Sequence, residues 1–513
     1  MKNKGFTLIE LLLAIAVLAI ILSITVPVSI SLIRNSKMDA FKSHARLLIQ
    51  SINEQRTKNI NFDVFALDEE NIEELLGIQP ENFYNLDFAM VGSEVAITVN
   101  GSGVWDGYTV CGTYKTLTAV IGDECELPYE NYPIDLFIGD QATEYTQLND
   151  VVATATGYAA VGLVDDNEES LILIVGYDNN RNQLWSESYD LGYGGELNSI
   201  TAVADGYVAV GYQDYGTDDY DTYIVKFDLT GNILWDESLQ GENGYDEEFN
   251  DVIAVSDGFV AVGYNGTNNG DFDGYNYGNE DAIIVKYDLN GNLLWINNVG
   301  GTDEETAFEV VDTIGGYVVT GDTYSDDNDF DDKNNGSGDI FIAKFSNDGT
   351  LVFSDCYGGS LWDDSWGGIV AVEGGFILAG FTSSTDGDME DVDVDNNGDS
   401  IIVKFNSGFA IEWIEDYGGN DEEWLSGIST TPQGIVVTGT SFSNDGDLES
   451  TPYNETNFVV EFDNYGNVIK SDMYDGENRR DGFYGVGFDS YRKRIIVPSD
   501  YEGPGGTGCP PLC

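Results

Sequence analysis

The sequence predicts a two-part protein, an N-terminal α+β module built on one long helix followed by an all-β propeller. Residues 11–33 contain no charged side chain and match the length of about 20 apolar residues that a helix needs to cross a bilayer. A unit of 49–59 residues then recurs over most of the remaining chain. The 61 glycines and 30 tyrosines among 513 residues also favour many short strands and turns over helices.

The start of the chain carries a short motif in front of the apolar run. Lys2 and Lys4 precede the Gly5-Phe6 pair, and Glu10 is a carboxylate at the mouth of the run, where a charge is costly and requires a partner. This stretch resembles the leader of type IV pilins and pseudopilins. The resemblance implies that a prepilin peptidase cuts after Gly5, that Phe6 is N-methylated, and that Glu10 helps to place the chain among other pilin-like subunits. An ordinary secretory signal would instead carry a small-residue cleavage site after the run.

The leader, residues 1–5, is predicted to be followed by one helix over residues 6–58, with residues 11–33 as its transmembrane half. The second half is amphipathic, because apolar residues recur at helical spacing: Phe41, Ala45, Leu48 and Ile52. The resemblance to pilins implies a single-pass protein of the cytoplasmic membrane before assembly and an extracellular pilus or cell-surface protein afterwards.

Residues 59–128 are predicted to form a small antiparallel sheet, since strand-like runs at 94–99 and 107–111 flank a glycine-containing turn. A helix followed by a few strands resembles a minimal pilin headgroup, with Cys111 and Cys125 as a candidate disulfide. Cys509 and Cys513, in the tail at 503–513, form another candidate pair, and Cys356 is left over.

The propeller prediction covers residues 129–502. Each unit supplies about four short strands, and a repeat of this kind is typical of a β-propeller. A tryptophan near the end of the unit is expected to pack between blades; it occurs at Trp185, Trp235, Trp295 and Trp413, with Phe353 substituting once. The Tyr417-Gly418-Gly419 and Asn444-Asp445-Gly446-Asp447 segments resemble the repeats of secreted bacterial propellers.

Chain closure decides the number of blades. The last unit supplies two strands, whereas an orphan strand at residues 133–138 precedes the first unit. Pairing these segments would close the ring without open sheet edges. The sequence therefore predicts seven blades, with six as the alternative.

Charge is distributed very unevenly along the chain. Residues 1–60 have a formal charge of +5, whereas the remainder carries −75. Such a field repels nucleic acid, so the propeller is not expected to bind it. The chain's single histidine is His44, and a Gly-x-Ser-x-Gly elbow is absent from the sequence, so no enzymatic activity is predicted.

Acidic insertions between the second and third strands of the blades are candidate calcium sites. The segment from Asp393 to Gly398 matches the opening of a calcium loop, although Lys404 stands where an EF-hand has its glutamate. A solvated acidic loop without a tight site is the alternative. The candidate ligands are Asp391, Asp393, Asp395, Asn397 and Asp399 in one loop, and Asp329, Asp331 and Asp339 in another.

Together these features predict a minor, tip-located pilin-like subunit that displays an acidic propeller for adhesion or for recognition of a surface glycan or protein. A propeller of about 370 residues has a radius of gyration of about 21 Å, whereas packed helices lie about 8–10 Å apart. Neighbouring subunits could therefore hardly all carry such a head. The alternatives are a pseudopilin of a secretion or DNA-uptake system, and a membrane-tethered propeller enzyme or sensor.

Overall fold

The computed structural model describes part of the N-terminal module and nearly all of the propeller. The chain divides into two compact units, Met1–Glu130 and Asn131–Cys513. The predictions for Gly5, Phe6 and Glu10, and for Cys125, Cys509 and Cys513, lie outside the described residues. These are 41–42, 45–50, 52, 83–91, 94–101, 108–113, 118–121, 132–138, 145–166, 169–214, 220–241, 245–331, 333–334, 336–390, 392, 394, 398–443, 446–448, 456–474 and 483–499.

In the first unit, residues 41–42, 45–50 and 52 are helical, and the residues of the expected apolar stripe are fully buried: Phe41, Ala45, Leu48 and Ile52. Four strands form an antiparallel sheet in chain order: β1 (Phe83–Val91), β2 (Glu94–Gly101), β3 (Tyr108–Thr113) and β4 (Thr118–Ile121). Cys111 on β3 is disulfide-bonded. Its pairing with Cys125 and the pilin-like identity of the module stay predictions.

The described part of the second unit contains seven sheets arranged as the blades of a propeller. The segment β5 (Ile134–Ile138) precedes six blades that are antiparallel meanders of four strands each. Blade one contains β6 (Thr146–Thr154), β7 (Gly157–Asp166), β8 (Glu169–Asp178) and β9 (Gln183–Tyr189). Blade two contains β10 (Gly194–Val203), β11 (Gly206–Asp214), β12 (Tyr220–Asp228) and β13 (Ile233–Leu239).

Blades three to six have the same order of strands, and the acidic insertions lie between the second and third strand, as predicted. Blade three contains β14 (Glu247–Val255), β15 (Gly258–Asn265), β16 (Asp281–Asp288) and β17 (Leu293–Val299). Blade four contains β18 (Glu305–Thr313), β19 (Gly316–Thr323), β20 (Asp339–Ser346) and β21 (Leu351–Tyr357). Blade five contains β22 (Asp363–Val372), β23 (Gly375–Thr382), β24 (Asp399–Asn406) and β25 (Ile411–Tyr417). Blade six contains β26 (Glu423–Thr431), β27 (Gly434–Ser441), β28 (Thr456–Asp463) and β29 (Val468–Tyr474). Short 3-10 turns occur in these insertions at Gly270–Phe272, Asn328–Phe330, Gly387–Met389 and Gly446–Leu448.

Blade seven closes the ring from both ends of the chain. It contains β30 (Gly487–Asp489) and β31 (Arg494–Ser499), and β31 pairs with β5 from the start of the unit. This pairing and the seven blades confirm the sequence prediction. The β5–β31 pair is parallel, which is possible because no hairpin connects the two strands. Arg494 fixes the pair by donating from Nη1 to both carboxylate oxygens of Asp135, at 3.0 and 2.9 Å.

The hydrophobic core lies between consecutive blades. The second and third strands are buried along most of their length because a neighbouring blade covers each face; all eight residues of β19 are buried. The repeated tryptophans pack as predicted. The ring of Trp185 lies 6.4 Å from Tyr207 in the next blade, and Trp235 lies 6.1 Å from Phe259, measured between ring centroids.

Candidate ligand site at the aromatic cluster

Three of the seven tryptophans in the propeller do not occupy the packing position of the repeat. These are Trp362, Trp366 and Trp424, and the structure brings them together. The ring centroids of Trp362 and Trp424 are 5.4 Å apart, those of Trp366 and Trp424 are 5.5 Å apart, and those of Trp362 and Trp366 are 6.2 Å apart. They belong to blades five and six or directly precede them.

Two phenylalanines extend this group. Phe381 stacks on Trp424 with a centroid distance of 4.4 Å and an interplanar angle of 6°, and Phe308 of blade four meets Trp366 edge-on at 6.2 Å. We call Phe308, Trp362, Trp366, Phe381 and Trp424 the aromatic cluster. Trp366 exposes 37% of its surface, so the cluster is not only core packing. Phe308, Trp362 and Trp424 are partly exposed as well, and a continuous apolar patch on a protein surface is typical of an interaction site.

A widened bulge in β22 places Trp366. This strand has ten residues where β14, β18 and β26 have nine. The register passes from Asp364 opposite Phe381 to Gly368 opposite Ala379, so three residues of β22, including Trp366, stand against one residue of β23. Bulges of this kind re-aim side chains and are common beside functional sites.

Two buried aspartates lie next to this cluster: Asp364 stands opposite Phe381 in the register of β22 with β23, and Asp322 lies on β19, whose Thr320 hydroxyl is 3.1 Å from the Ser365 hydroxyl of β22. Asp364 on β22 is 1% exposed; its Oδ1 accepts a hydrogen bond from the Trp366 backbone N–H at 3.2 Å. Its Oδ2 has no hydrogen-bond partner among the described residues, and the same is true of Oδ1 of Asp322 on β19, which is 7% exposed. Buried oxygens without donors are rare in folded proteins, and they frequently mark a site for another molecule.

The electrostatic surroundings of these aspartates are acidic. Burial raises the pKa of Asp322 to about 7, and the charges of Glu304 and Glu280 add to the effect. Burial also raises the pKa of Asp364 well above its ordinary value, and Asp322 and Asp363 contribute. The site thus combines aromatic faces with carboxyl groups whose ionisation is suppressed. It can accept a ligand that offers apolar surface and hydrogen-bond donors.

The aspartates predicted as calcium ligands have several different environments. Oδ2 of Asp329 accepts a hydrogen bond from the Gly300 N–H at 3.2 Å, and the Asp329 N–H donates to Gly300 O at 3.3 Å. The equivalent Asp388 forms the same pair of bonds with Gly358, so these aspartates tie the insertion to the segment that follows the last strand of the preceding blade. Asp331 is exposed.

Asp339 and Asp399 are buried at the starts of β20 and β24. In the part of the chain that the structure describes, no group of three or more His, Cys, Asp or Glu side chains is arranged to hold a metal ion. The other candidates lie outside that part: Asp391, Asp393, Asp395 and Asn397. Calcium binding therefore stays a prediction.

Buried pairs of carboxyl groups occur at the blade boundaries. Asp281 of blade three and Glu305 of blade four converge on Gly300, where an added Cβ would lie 2.8 Å from Asp281 Oδ2 and 2.7 Å from Glu305 Oε2. Burial raises the pKa of Asp281 to about 6 and that of Glu305 to about 7. Equivalent pairs surround Gly358, namely Asp339 with Asp363, and Gly418, namely Asp399 with Glu423. These pairs place acidic groups inside the molecule as well as on its surface.

Sequence reasoning did not find the aromatic cluster or the carboxyl pairs. A signal for the cluster was present, because Trp362, Trp366 and Trp424 break the spacing of the other propeller tryptophans. The carboxyl pairs had a weaker signal in the acidic residues that open the first and third strands of several units.

Comparison with protein families identifies one motif in the chain. The prokaryotic N-terminal methylation motif matches residues 1–26, which supports the prepilin-type leader predicted from residues 5–10. The motif implies processing by a prepilin peptidase, assembly with pilin-like subunits and a membrane-anchored precursor. None of the helical residues that the structure describes forms a segment long and apolar enough to cross a membrane.

No curated protein is significantly similar to this chain. Among solved structures, Sqt1 of Chaetomium thermophilum has a TM-score of 0.37 at 14% identity, over 71% of this chain and 98% of its own. A variant of the Synechocystis apocarotenoid oxygenase has a TM-score of 0.38 at 10% identity, over 71% of this chain and 88% of its own. Likeness at this level carries no inference about function. The motif and the seven sheets together show a pilin-type leader on a chain that carries a seven-bladed propeller.

Proposed function

We propose that the chain is a minor, tip-located subunit of a type IV pilin-like filament and that its propeller is a recognition head for a surface protein or glycan. The leader supports export and assembly, and the aromatic cluster supports recognition. The observation that carries the proposal is the partly exposed Trp366 in a group of five aromatic side chains, next to two buried carboxyl groups that each have one oxygen without a hydrogen-bond donor among the described residues. Tryptophan is enriched among the residues that dominate binding energy at interfaces.

Two further expectations belong to this proposal. The head binds its partner without chemical conversion; this expectation rests on the single histidine of the chain, His44, and on the absence of a Gly-x-Ser-x-Gly elbow from the sequence. Calcium binds in the acidic insertions and stiffens them, without taking part in the recognition site.

The proposal is tested by replacing Trp366→Ala and Trp424→Ala in the full-length chain. Binding of the purified protein, in a non-ionic detergent, is measured on a printed array of glycans and surface proteins. Each change should weaken the strongest array signal by about 30-fold, since truncation of a dominant interface residue costs about 2 kcal/mol. Tyr193→Ala is the matched control, because Tyr193 is an aromatic residue outside the cluster with 64% exposure.

Filament labelling with an antibody against the propeller supplies the second part of the test. The label should lie at filament ends and should be unchanged in number in all three variants. A protein found along the whole filament as its most abundant subunit would contradict the tip location, and unchanged array binding by the tryptophan variants would contradict the assignment of the site.

A further inference from the structure

Two carboxylate oxygens next to the aromatic cluster lack hydrogen-bond donors. Oδ2 of Asp364 and Oδ1 of Asp322 are buried, and neither has a partner among the described residues. A buried polar atom without a partner costs about 1–3 kcal/mol. The two aspartates lie close enough for the charge of Asp322 to raise the pKa of Asp364. A ligand that brings donors to this place would remove that cost.

The charged groups around these acceptors determine whether an anionic or a cationic ligand can bind. Asp322 is influenced by Glu304 and Glu280, and Asp364 by Asp322 and Asp363. The basic side chains with ion pairs in the described part of the propeller contact other acids, as Lys286 contacts Asp257 at 2.8 Å. An anionic ligand would be repelled at this site, whereas a cation would offset the repulsion among the carboxylates.

The rings determine which kind of cation fits. Indole faces attract cations more strongly than other aromatic side chains do. A quaternary ammonium has no N–H and would leave both aspartate oxygens without donors. A primary ammonium has three donors, and an aliphatic stem attached to it can pack along ring faces.

We propose that the aromatic cluster binds the end of a lysine side chain of a partner protein, with Asp322 and Asp364 accepting hydrogen bonds from its ammonium group. The inference rests on the proposed function and names the chemistry of its partner. The methylene stem lies against the exposed indole of Trp366. Because Oδ2 of Asp364 is covered, the Trp366 side chain rotates on the widened β22 bulge when the ammonium group enters.

The test uses a matched pair of small probes on the full-length chain in a non-ionic detergent. Nα-acetyl-lysine methyl ester carries the free ammonium group, and Nα,Nε-diacetyl-lysine methyl ester is its neutral control. Calorimetry and tryptophan fluorescence should show binding of the first probe and at least tenfold weaker binding of the second. Glucosamine and N-acetylglucosamine form a second pair, and tighter binding of glucosamine than of the lysine ester would overturn the choice of a lysine side chain.

A pH series supplies a readout that does not depend on any variant. A carboxyl group with a pKa of about 7 is roughly one tenth ionised at pH 6 and nine tenths ionised at pH 8. Affinity for the lysine ester should therefore rise about tenfold over this range, with release of protons that is measurable from the buffer dependence of the heat. Binding without a pH dependence would overturn the proposal.

Asp322→Asn and Asp364→Asn should each weaken binding of the lysine ester at least tenfold. Glu461→Gln is the control, because the Glu461 carboxyl is also buried with its pKa raised to about 7 but lies on β28, outside the cluster. If neither amine binds while Trp366→Ala still abolishes the array signal, the lysine inference fails and the proposed function stands.

Discussion

Individual carboxylates connect the first strands of neighbouring blades. Oδ2 of Asp150 accepts a hydrogen bond from the Ile200 N–H at 2.9 Å, Oδ2 of Asp251 from Val310 at 3.0 Å, and Oε2 of Glu309 from Ile369 at 2.8 Å. Each carboxylate thereby satisfies a backbone N–H donor of the next blade. Burial raises the pKa of Asp150 to about 6, and it raises those of Asp251 and Glu309 as well.

Gly368 leaves the space that Glu309 occupies. An added Cβ would lie 1.6 Å from Glu309 Oε2, and the backbone at Gly368 has a φ of +86°. Gly368→Ala should therefore lower the free energy of unfolding by about 3 kcal/mol or more, because it breaks the bond to Ile369 and strains the backbone. Denaturant unfolding of the full-length chain measures this change.

Gly315→Ala is the control for the backbone part of this effect. Gly315 has nearly the same φ, +89°, but has no atom within 4 Å of the added Cβ. It should cost only about 1 kcal/mol, the usual penalty for a side chain in the left-handed region. Equal losses of unfolding free energy in the two variants would show that the Glu309 side chain moves aside without an energetic cost, and would contradict this account.

At the scale of elements, the turn between the third and fourth strands of a blade packs against the aromatic residue of the preceding blade. An added Cβ at Gly231 would lie 2.7 Å from Trp185, and one at Gly291 would lie 2.8 Å from Trp235. Both glycines have positive φ. The boundary between blades four and five has two smaller rings instead, since Phe353 stacks on Phe409 with centroids 4.6 Å apart. The same position between blades is thus filled either by a tryptophan and a glycine or by two phenylalanines.

This equivalence predicts a compensating pair of substitutions. Phe353→Trp should overpack against Phe409 and cost about 1–3 kcal/mol. Phe409→Gly should leave a cavity beside Phe353 and Phe376 and cost about 3–5 kcal/mol. The double variant recreates the tryptophan–glycine pair of the other boundaries and should recover most of the loss. Unfolding free energies of the three variants form a double-mutant cycle. Additive losses would contradict the equivalence.

The sequence predicted the elements that repeat and missed those that depart from the repeat. Strand positions, acidic insertions and closure by β5 followed from periodicity, because a blade cannot bury its faces alone. The parallel direction of β5 could not be predicted from periodicity, because no hairpin connects β5 to β31 and fixes their relative direction. The position of the Trp366 side chain depends on a single extra residue in β22. Asp281 and Glu305 come together only because two neighbouring blades pack in a particular register.

At the scale of the whole molecule, buried acids make stability depend on pH. Asp281 and Glu305 have raised pKa values, about 6 and about 7, as do Glu248 and Asp322, both about 7. Between pH 4 and pH 7 the folded chain therefore holds more protons than the unfolded chain. The stabilisation is complete below about pH 4 and is lost as the pH rises through the folded-state pKa values. Acidification also reduces repulsion in a chain with a net charge of −70.

Asp281 allows this origin of the pH dependence to be separated from the effect of net charge. Its Oδ2 accepts hydrogen bonds from Asn298 and Tyr277, whereas its Oδ1 has no partner among the described residues. Asp281→Asn keeps the shape and can present an N–H in place of the unpartnered oxygen. It should raise the free energy of unfolding at pH 7.5 by about 1–3 kcal/mol, since one pKa unit corresponds to about 1.4 kcal/mol. The gain should be about half as large at pH 5 and should vanish near pH 3, below the pKa of the unfolded chain. Asp257→Asn removes the same charge from an aspartate whose pKa Lys286 lowers, so it should not stabilise the chain at pH 7.5. Equal stabilisation by both changes would assign the pH dependence to net charge, whereas stabilisation by Asp281→Asn alone assigns it to the buried pair.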